Sequence, residues 1–266
     1  MQLGDWHWKH YYLVNIFDMK ILLPSILLVF LIALWQIKIF TIKTIDTQLD
    51  RASCTNDQKI KEAAEIFGQN FFLINKDSVE MLLKEKFSCI KAVNLKRAFP
   101  NKVKMTILGR EVAAILLPLK DEKASAATFL ENIATPSASE VSTSFLIDNE
   151  GVVFADETSK LNWPKIFANI SNVSLGQRLE KVVASLKIMG KVKTYGLDAD
   201  TFLVLDNFFV IFSDPKVIFK LDETIEEQLA SLQLILEKAK IDASQLEFID
   251  LRFEKPVVRF APKKNG

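Results

Sequence analysis

Cysteine and histidine are scarce in this sequence. Its 266 residues include 2 of each, and both histidines, His7 and His10, precede the first long apolar run. Two cysteines are too few for the thiolate sets of zinc fingers or ribbons. Without imidazole after residue 10, the remaining chain lacks Ser-His-Asp and Cys-His catalysis, His-ligated metals and c-type haem. Glycine and proline are also sparse, 8 of each, which excludes collagen and Pro/Gly-rich disorder. The glycines, at 4, 68, 109, 151, 176, 190, 196 and 266, form neither a GxGxxG turn nor a GxxxxGK cradle, so the common nucleotide-binding enzymes are out. No sign of charge dominates: 34 basic against 33 acidic side chains leave +1, without the electrostatic footprint of a nucleic-acid binder. Two-carboxylate hydrolysis stays open as a class, but no pair of the scattered Asp and Glu is singled out. The expectation is therefore no catalytic residues, no cofactor, no metal, no nucleic acid and no small-molecule substrate.

What the chain has in quantity is apolar surface, 49% of its residues. Residues Ile21 to Ile37 read ILLPSILLVFLIALWQI between Lys20 and Lys38. At 1.5 Å per residue such a helix reaches roughly 26 Å, near the ~30 Å of a hydrocarbon core, with flanking lysines able to snorkel. A buried core helix is the competing reading, but core helices are usually shorter and amphipathic. No small-x-small cleavage site follows, so the expectation is an uncleaved transmembrane helix over 21–38 behind a short tail, 1–20. Charge does not orient it: Lys9, Lys20 and the α-amino group balance Lys38, Lys43 and Arg51.

Two folded units follow in the pattern. Over 39–110, Ile39, Phe40, Ile42 and Ile45 open an extended stretch. Thr55 with Gln58 reads as a capping box before Ile60, Ala63, Ala64 and Phe67, which share a helical face. A second helix starts at Asp77 and carries Val79, Leu82 and Leu83. Val93 and Leu95, then Val103, Met105 and Ile107, alternate with polar residues around a Pro100-Asn101 turn. The β-α-α-β-β order predicts three strands with two helices on one face. Residues 111–144 read as a connecting strand and a small, polar linker or insertion, DEKASAATFLENIATPSASEVSTS from 121. From 145 to 261 the pattern is strand-rich. FLIDNEGVVF gives two strands about Asn149–Gly151; Ser174 with Gln177 caps a helix bearing Leu179, Val182, Val183 and Leu186; Asp206-Asn207 turns between Thr201–Leu205 and Phe208–Phe212. Thr224 with Glu227 opens a helix over Asp222–Ala239 with an Ile225, Leu229, Leu232, Leu236 stripe. The close, IDLRFEKPVVRF, is strand-like, and 262–266 is a tail. The fold class expected is α+β: one transmembrane helix, the β-α-α-β-β unit, then a mixed β-rich domain with packed helices.

Four blocks in order resemble the FtsQ/DivIB family of bacterial cell-division proteins: the tail with its single apolar run; GQNFFLINKDSVEMLLKEKFSCIKAVNLKRAFPNKVKMTI at 68–107; FLIDNEGVVF at 145–154; and the closing helix with IDLRFEKPVVRF. The second block is similar to the POTRA pattern, with Arg97, Phe99, Pro100 and Asn101 in its R-x-F-P-N motif. The chain departs from the family's E-R-x-P-x-A stretch, reading Gly109-Arg110-Glu111-Val112-Ala113, and places Asp198 and Asp200 where some members carry a basic residue.

The resemblance implies a POTRA domain at 39–110 and an FtsQ-type β domain at 145–261, a cytoplasmic N-terminus and an extracytoplasmic remainder. It also implies a non-enzymatic scaffold at the septum, anchored in the plasma membrane by one helix, which binds FtsB/DivIC-like and FtsL-like single-span proteins. Other POTRA-bearing envelope chaperones or polypeptide-translocation components form the alternative. The partner-binding residues implied are Arg252, Phe253, Pro256, Val257, Val258, Arg259 and Phe260, at a closing edge to which a partner adds a strand; edge protection by Pro256 and the charges is the competing account. Cys54 and Cys89 would then face an oxidising compartment. They are expected either as a disulfide, since helix and strand starts can meet at one end of a small sheet, or as two separate buried thiols.

Overall fold

The computed structural model describes residues 22–32, 40–52, 54–119, 143–156, 162–241 and 245–260. Helix α1 covers 22–32. It corrects the expected transmembrane helix over 21–38. Its eleven described residues rise roughly 17 Å, about half of a hydrocarbon core. Among the described residues no helix is long and apolar enough to cross a membrane. The apolar run established only that this segment avoids water, not how far a helix would continue. The tail 1–20, Ile21 and residues 33–38 lie outside the described residues.

The first unit runs β1 (Thr44–Asp50), α2 (Asp57–Ala63), α3 (Lys76–Lys86), β2 (Ile90–Ala98) and β3 (Lys102–Gly109). Its sheet order is β1-β3-β2, with β1 parallel and β2 antiparallel to the central β3. The alternation in β3 is what makes the layer: Val103, Met105 and Ile107 are buried against Ile60 of α2 and Leu83 of α3, while Lys104 and Thr106 face outward. The caps fall beside their expected places. Asn56, not Thr55, accepts the Lys59 N–H at the start of α2, and Asn75 accepts the N–H groups of Asp77 and Ser78 at the start of α3. Both asparagines precede the first helical residue with extended backbone, so their carboxamides reach the free N–H groups first.

The second unit is a nine-stranded sheet. Its elements are β4 (Ala114–Pro118), β5 (Phe145–Ile147), β6 (Val153–Asp156), β7 (Lys165–Ala168), α4 (Glu180–Thr194), β8 (Thr201–Leu205), β9 (Phe208–Ile211), β10 (Lys216–Lys220), α5 (Ile225–Ile241), β11 (Leu246–Asp250) and β12 (Val257–Phe260). Its order is β12-β11-β10-β9-β8-β7-β4-β5-β6. The pairs β4–β7, β7–β8 and β10–β11 are parallel. Helix α4 connects β7 to its parallel neighbour β8, and α5 connects β10 to β11, as parallel pairing requires. This is mixed α/β architecture, and it corrects the α+β expectation. The sheet already begins at Ala114, inside the stretch read as connection; residues 120–142 of the expected insertion lie outside the described residues. Central strands such as β8, with Phe202, Leu203, Val204 and Leu205 all buried, face apolar neighbours on both sides and so lose the period-2 signal. Helix α4 begins at Glu180 without a side-chain cap, a shift from Ser174, whereas α5 begins at Ile225, directly after the expected Thr224, though not as early as Asp222.

The two sheets meet at Arg110. Its guanidinium forms a buried ion pair with Asp148 and reaches Glu150 at 3.2 Å, while its Nε donates to the Ser88 carbonyl. Ser88 Oγ donates to the Phe154 carbonyl at 2.9 Å, and Phe154 itself packs into the first unit's core. Asp148 also accepts the N–H groups of Glu150 and Val152. Lys91, hydrogen-bonded to Glu150, holds that carboxyl below its ordinary range, with Arg110 adding to the effect. Gly109 is required beside this junction, because a Cβ there would collide with the Arg51 carbonyl. At the same end Cys54 is bonded to Cys89, with Cα atoms 6.2 Å apart.

Removing Arg110 would leave the buried Asp148 carboxylate uncompensated. Arg110→Ala is expected to lower the urea unfolding free energy by about 3–5 kcal/mol, and Lys91→Ala, at an exposed pair, by less than ~1 kcal/mol; equal losses would contradict this account of the junction. The Cys54–Cys89 bond closes a loop of 35 residues, so reduction should cost about 3–4 kcal/mol in the chain-entropy view, and titration of the denatured, unreduced chain should find neither thiol free.

Candidate interaction edge

Strand β12 is an outer strand of the large sheet. It pairs antiparallel with β11 in the register Leu246↔Phe260, Phe248↔Arg259, Ile249↔Val258 and Asp250↔Val257, with an irregularity between Leu246 and Phe248. Among the described residues its other side faces no strand of the sheet. An outer strand displays backbone N–H and C=O groups on that side, a template for another strand. Pro256 lies just before the strand, so its missing N–H takes nothing from β12 itself.

The side chains singled out from sequence fall into three groups. Phe253, Val257 and Phe260 are 56%, 51% and 58% exposed, an unusual state for large apolar groups that share one edge. Val258 instead packs on the core beneath the helices. The two arginines are committed within the chain. Arg252 binds Asp250 through Nε at 2.9 Å and Nη2 at 2.6 Å, and its guanidinium lies over the rings of Phe208, 4.9 Å from the centroid, and Phe253, 5.5 Å. With its backbone N–H also on Asp250, it fixes the bend between β11 and β12. Arg259 lies over Phe248 and approaches Glu247 at 3.4 Å. Arg252 thus positions Phe253 rather than offering a free charge, a role invisible in sequence because Phe208 is remote along the chain.

Beside the bend is a polar cleft of about 220 Å³, lined by Lys220, Asp222, Gln228, Arg252, Phe253 and Glu254 among others. Gln228, almost wholly buried, clasps the end of β10: its Oε1 accepts from Lys220 N at 2.8 Å and its Nε2 donates to the Lys220 carbonyl at 3.0 Å. Asp222 takes the Lys220 ammonium at 2.7 Å and both the N–H and hydroxyl of Thr224. The Lys220 hydrogen bond, then that of Thr224, lower the Asp222 carboxyl from 3.8 to about 2, and Lys220 is correspondingly raised. Gln228 and Asp222 were not singled out from sequence; the only sign of them was the polar run before the α5 stripe.

The R-x-F-P-N residues lie elsewhere, at the N-terminal end of the small sheet. Arg97 donates to the Ile74 carbonyl at 2.7 Å, the Asn101 carbonyl accepts from Lys43 N at 3.0 Å, and Pro100 turns β2 into β3 with Phe99 exposed. The motif organises a turn and a loop. Among the described residues no group of three His, Cys, Asp or Glu could hold a metal ion. No family model and no curated protein matches the chain.

Asp222 sets a pH expectation. Its folded pKa lies below its ordinary value, so the stability it contributes is fully present above about pH 4 and is lost as pH falls through about 2. The difference in unfolding free energy between the wild type and Asp222→Asn should shrink across that window; a constant difference would show that the Lys220–Asp222–Thr224 cluster does not carry it.

Proposed function

We propose that this chain is a non-enzymatic scaffold of bacterial division, of the FtsQ/DivIB kind, which takes a strand from an FtsB/DivIC-like partner along β12 and associates with an FtsL-like protein through it. The observation that carries the reading is an outer strand with no strand beyond it among the described residues, flanked by exposed Phe253 and Phe260. In strand addition the main chain contributes about 0.5–1.5 kcal/mol net per hydrogen bond, and side-chain pockets give selectivity. The bend fixed by Arg252 and Asp250 supports this by presenting Phe253 in one place before a partner arrives. Two of the four charges near β12, Arg252 and Arg259, are answered internally by Asp250 and Glu247, which weakens the account of those two as edge guards.

The disulfide supports an extracytoplasmic site, where such bonds persist. Attachment to the membrane is proposed through α1, whose large apolar side chains from Leu22 to Ile32 are all more than half exposed.

Titration calorimetry of the chain against the extracytoplasmic segment of an FtsB/DivIC-like protein tests the edge. Phe253→Ala and Phe260→Ala are each expected to weaken binding more than about tenfold, as hot-spot aromatics do, with the fold intact. Wild-type affinity in both variants would remove 253–260 from the binding surface. In cells, depletion should give filaments and a fluorescent fusion should gather at midcell; loss of outer-membrane proteins without filamentation would favour the envelope-chaperone alternative.

A further inference from the structure

The N-terminal end of the small sheet carries a second apolar surface, unrelated to β12. Three segments converge there. Residues 40–42 pair with the loop after α2, through Ile42 N to Gln69 O at 3.0 Å, Gly68 N to Ile42 O at 3.1 Å and Phe71 N to Phe40 O at 2.7 Å. The β2–β3 turn joins them through Lys43 N to Asn101 O. This geometry stacks rings across the segments: Phe40 lies 5.2 Å from Phe72 and 5.9 Å from Phe99, centroid to centroid. Such contacts would ordinarily seed a core. Here Phe99, Phe67 and Leu73 are 73%, 69% and 68% exposed, and Phe72 is nearly half exposed. Lys43 and Lys76 are exposed at the same end, beside Asp77.

We infer that this end of the small sheet rests on a lipid surface, its phenylalanines in the interfacial layer. The choice of lipid over a protein partner comes from chain continuity. Phe40 follows α1 by only seven residues, 33–39, which reach at most about 28 Å even when extended. Whatever covers the Ile32 end of α1 therefore lies within that distance of the ring cluster. Helix α1 carries no polar stripe, Ser25 being the one polar side chain among its described residues, and a helix apolar all round fits a hydrocarbon layer, which asks for no oriented face. The opposite end of the unit is occupied by Arg110, Asp148 and the disulfide, so of the two ends it is the aromatic one that faces it. Two contacts, α1 and the ring cluster, would fix the tilt of the molecule, whereas α1 alone would leave it swinging on a tether.

The inference rests on the membrane attachment proposed above, and one experiment separates the two. The full chain is floated with vesicles of phosphatidylethanolamine and phosphatidylglycerol, and amide hydrogen exchange is compared with and without them. The expected result is exchange slowed about tenfold at Phe67, Phe72 and Phe99, equivalent to about 1.4 kcal/mol of added protection, and unchanged in α4. Phe72→Ser with Phe99→Ser should remove that slowing while the chain still floats through α1 and β3 exchanges as before. Flotation without slowing at the three phenylalanines overturns this inference alone, as does equal slowing in α4. A chain that does not float overturns the attachment as well.

Discussion

The molecule depends on one buried ion pair. Arg110 and Asp148 are both taken out of water where the small sheet meets the large one, and each is satisfied by further partners: the Ser88 carbonyl and Glu150 for the arginine, two backbone N–H groups for the aspartate. A pair so surrounded adds little as attraction alone, because desolvation opposes it. Its importance is geometric. The guanidinium can reach Ser88 and Asp148 together only if the strand ends of both sheets take one arrangement, and Phe154 then fills the first unit's core from the second. The disulfide and Gly109 sit at the same end, so covalent, steric and ionic constraints coincide there.

Away from the junction each unit ends in an exposed apolar feature, and the two differ in kind. The β12 edge offers directional backbone groups with aromatic side chains to either side. The ring cluster offers no backbone edge, only apolar faces held by loop hydrogen bonds. A directional edge suits a polypeptide; a non-directional face suits a fluid surface. Arg252 shows how the edge is kept ready: an internal carboxylate and two rings immobilise a charge that, read in sequence, looked available to a partner.

Where one face of an element is solvated, the sequence disclosed it. Strand β3 alternates cleanly, and the Asp206-Asn207 turn between β8 and β9 stood where its residues placed it. Of the elements buried on both sides, β8 was legible from the turn that follows it, β4 was anticipated only as a connecting strand without bounds because AILLP has no period, and β7 was too short to register. Helix starts were displaced because several capping residues stood together and only backbone conformation decides between Thr55 and Asn56. The aromatic residues of the edge were legible as chemistry, whereas the Arg252 bend and the Gln228 clasp depend on neighbours brought in by topology. The pairing of Cys54 with Cys89 was open for the same reason, since a Cα separation is not written in spacing.

The connection from β4 to β5 leaves and returns at adjacent strands, Leu116 opposite Phe145, while β4 waits for its other neighbour until β7, where Ile115 meets Lys165 about fifty residues on. Loop closure grows only logarithmically with length, about 0.6 kcal/mol for each doubling. The chain can therefore carry a long excursion here at small thermodynamic cost, because both of its ends are anchored by ladder hydrogen bonds. The cost is in time: non-local parallel pairings form late and slowly. Until β7 docks, β4, β5 and β6 exist only as a three-stranded ribbon with the centre of the sheet unmade, so variation in the length of this excursion should be felt as a rate of assembly before it is felt as a loss of stability.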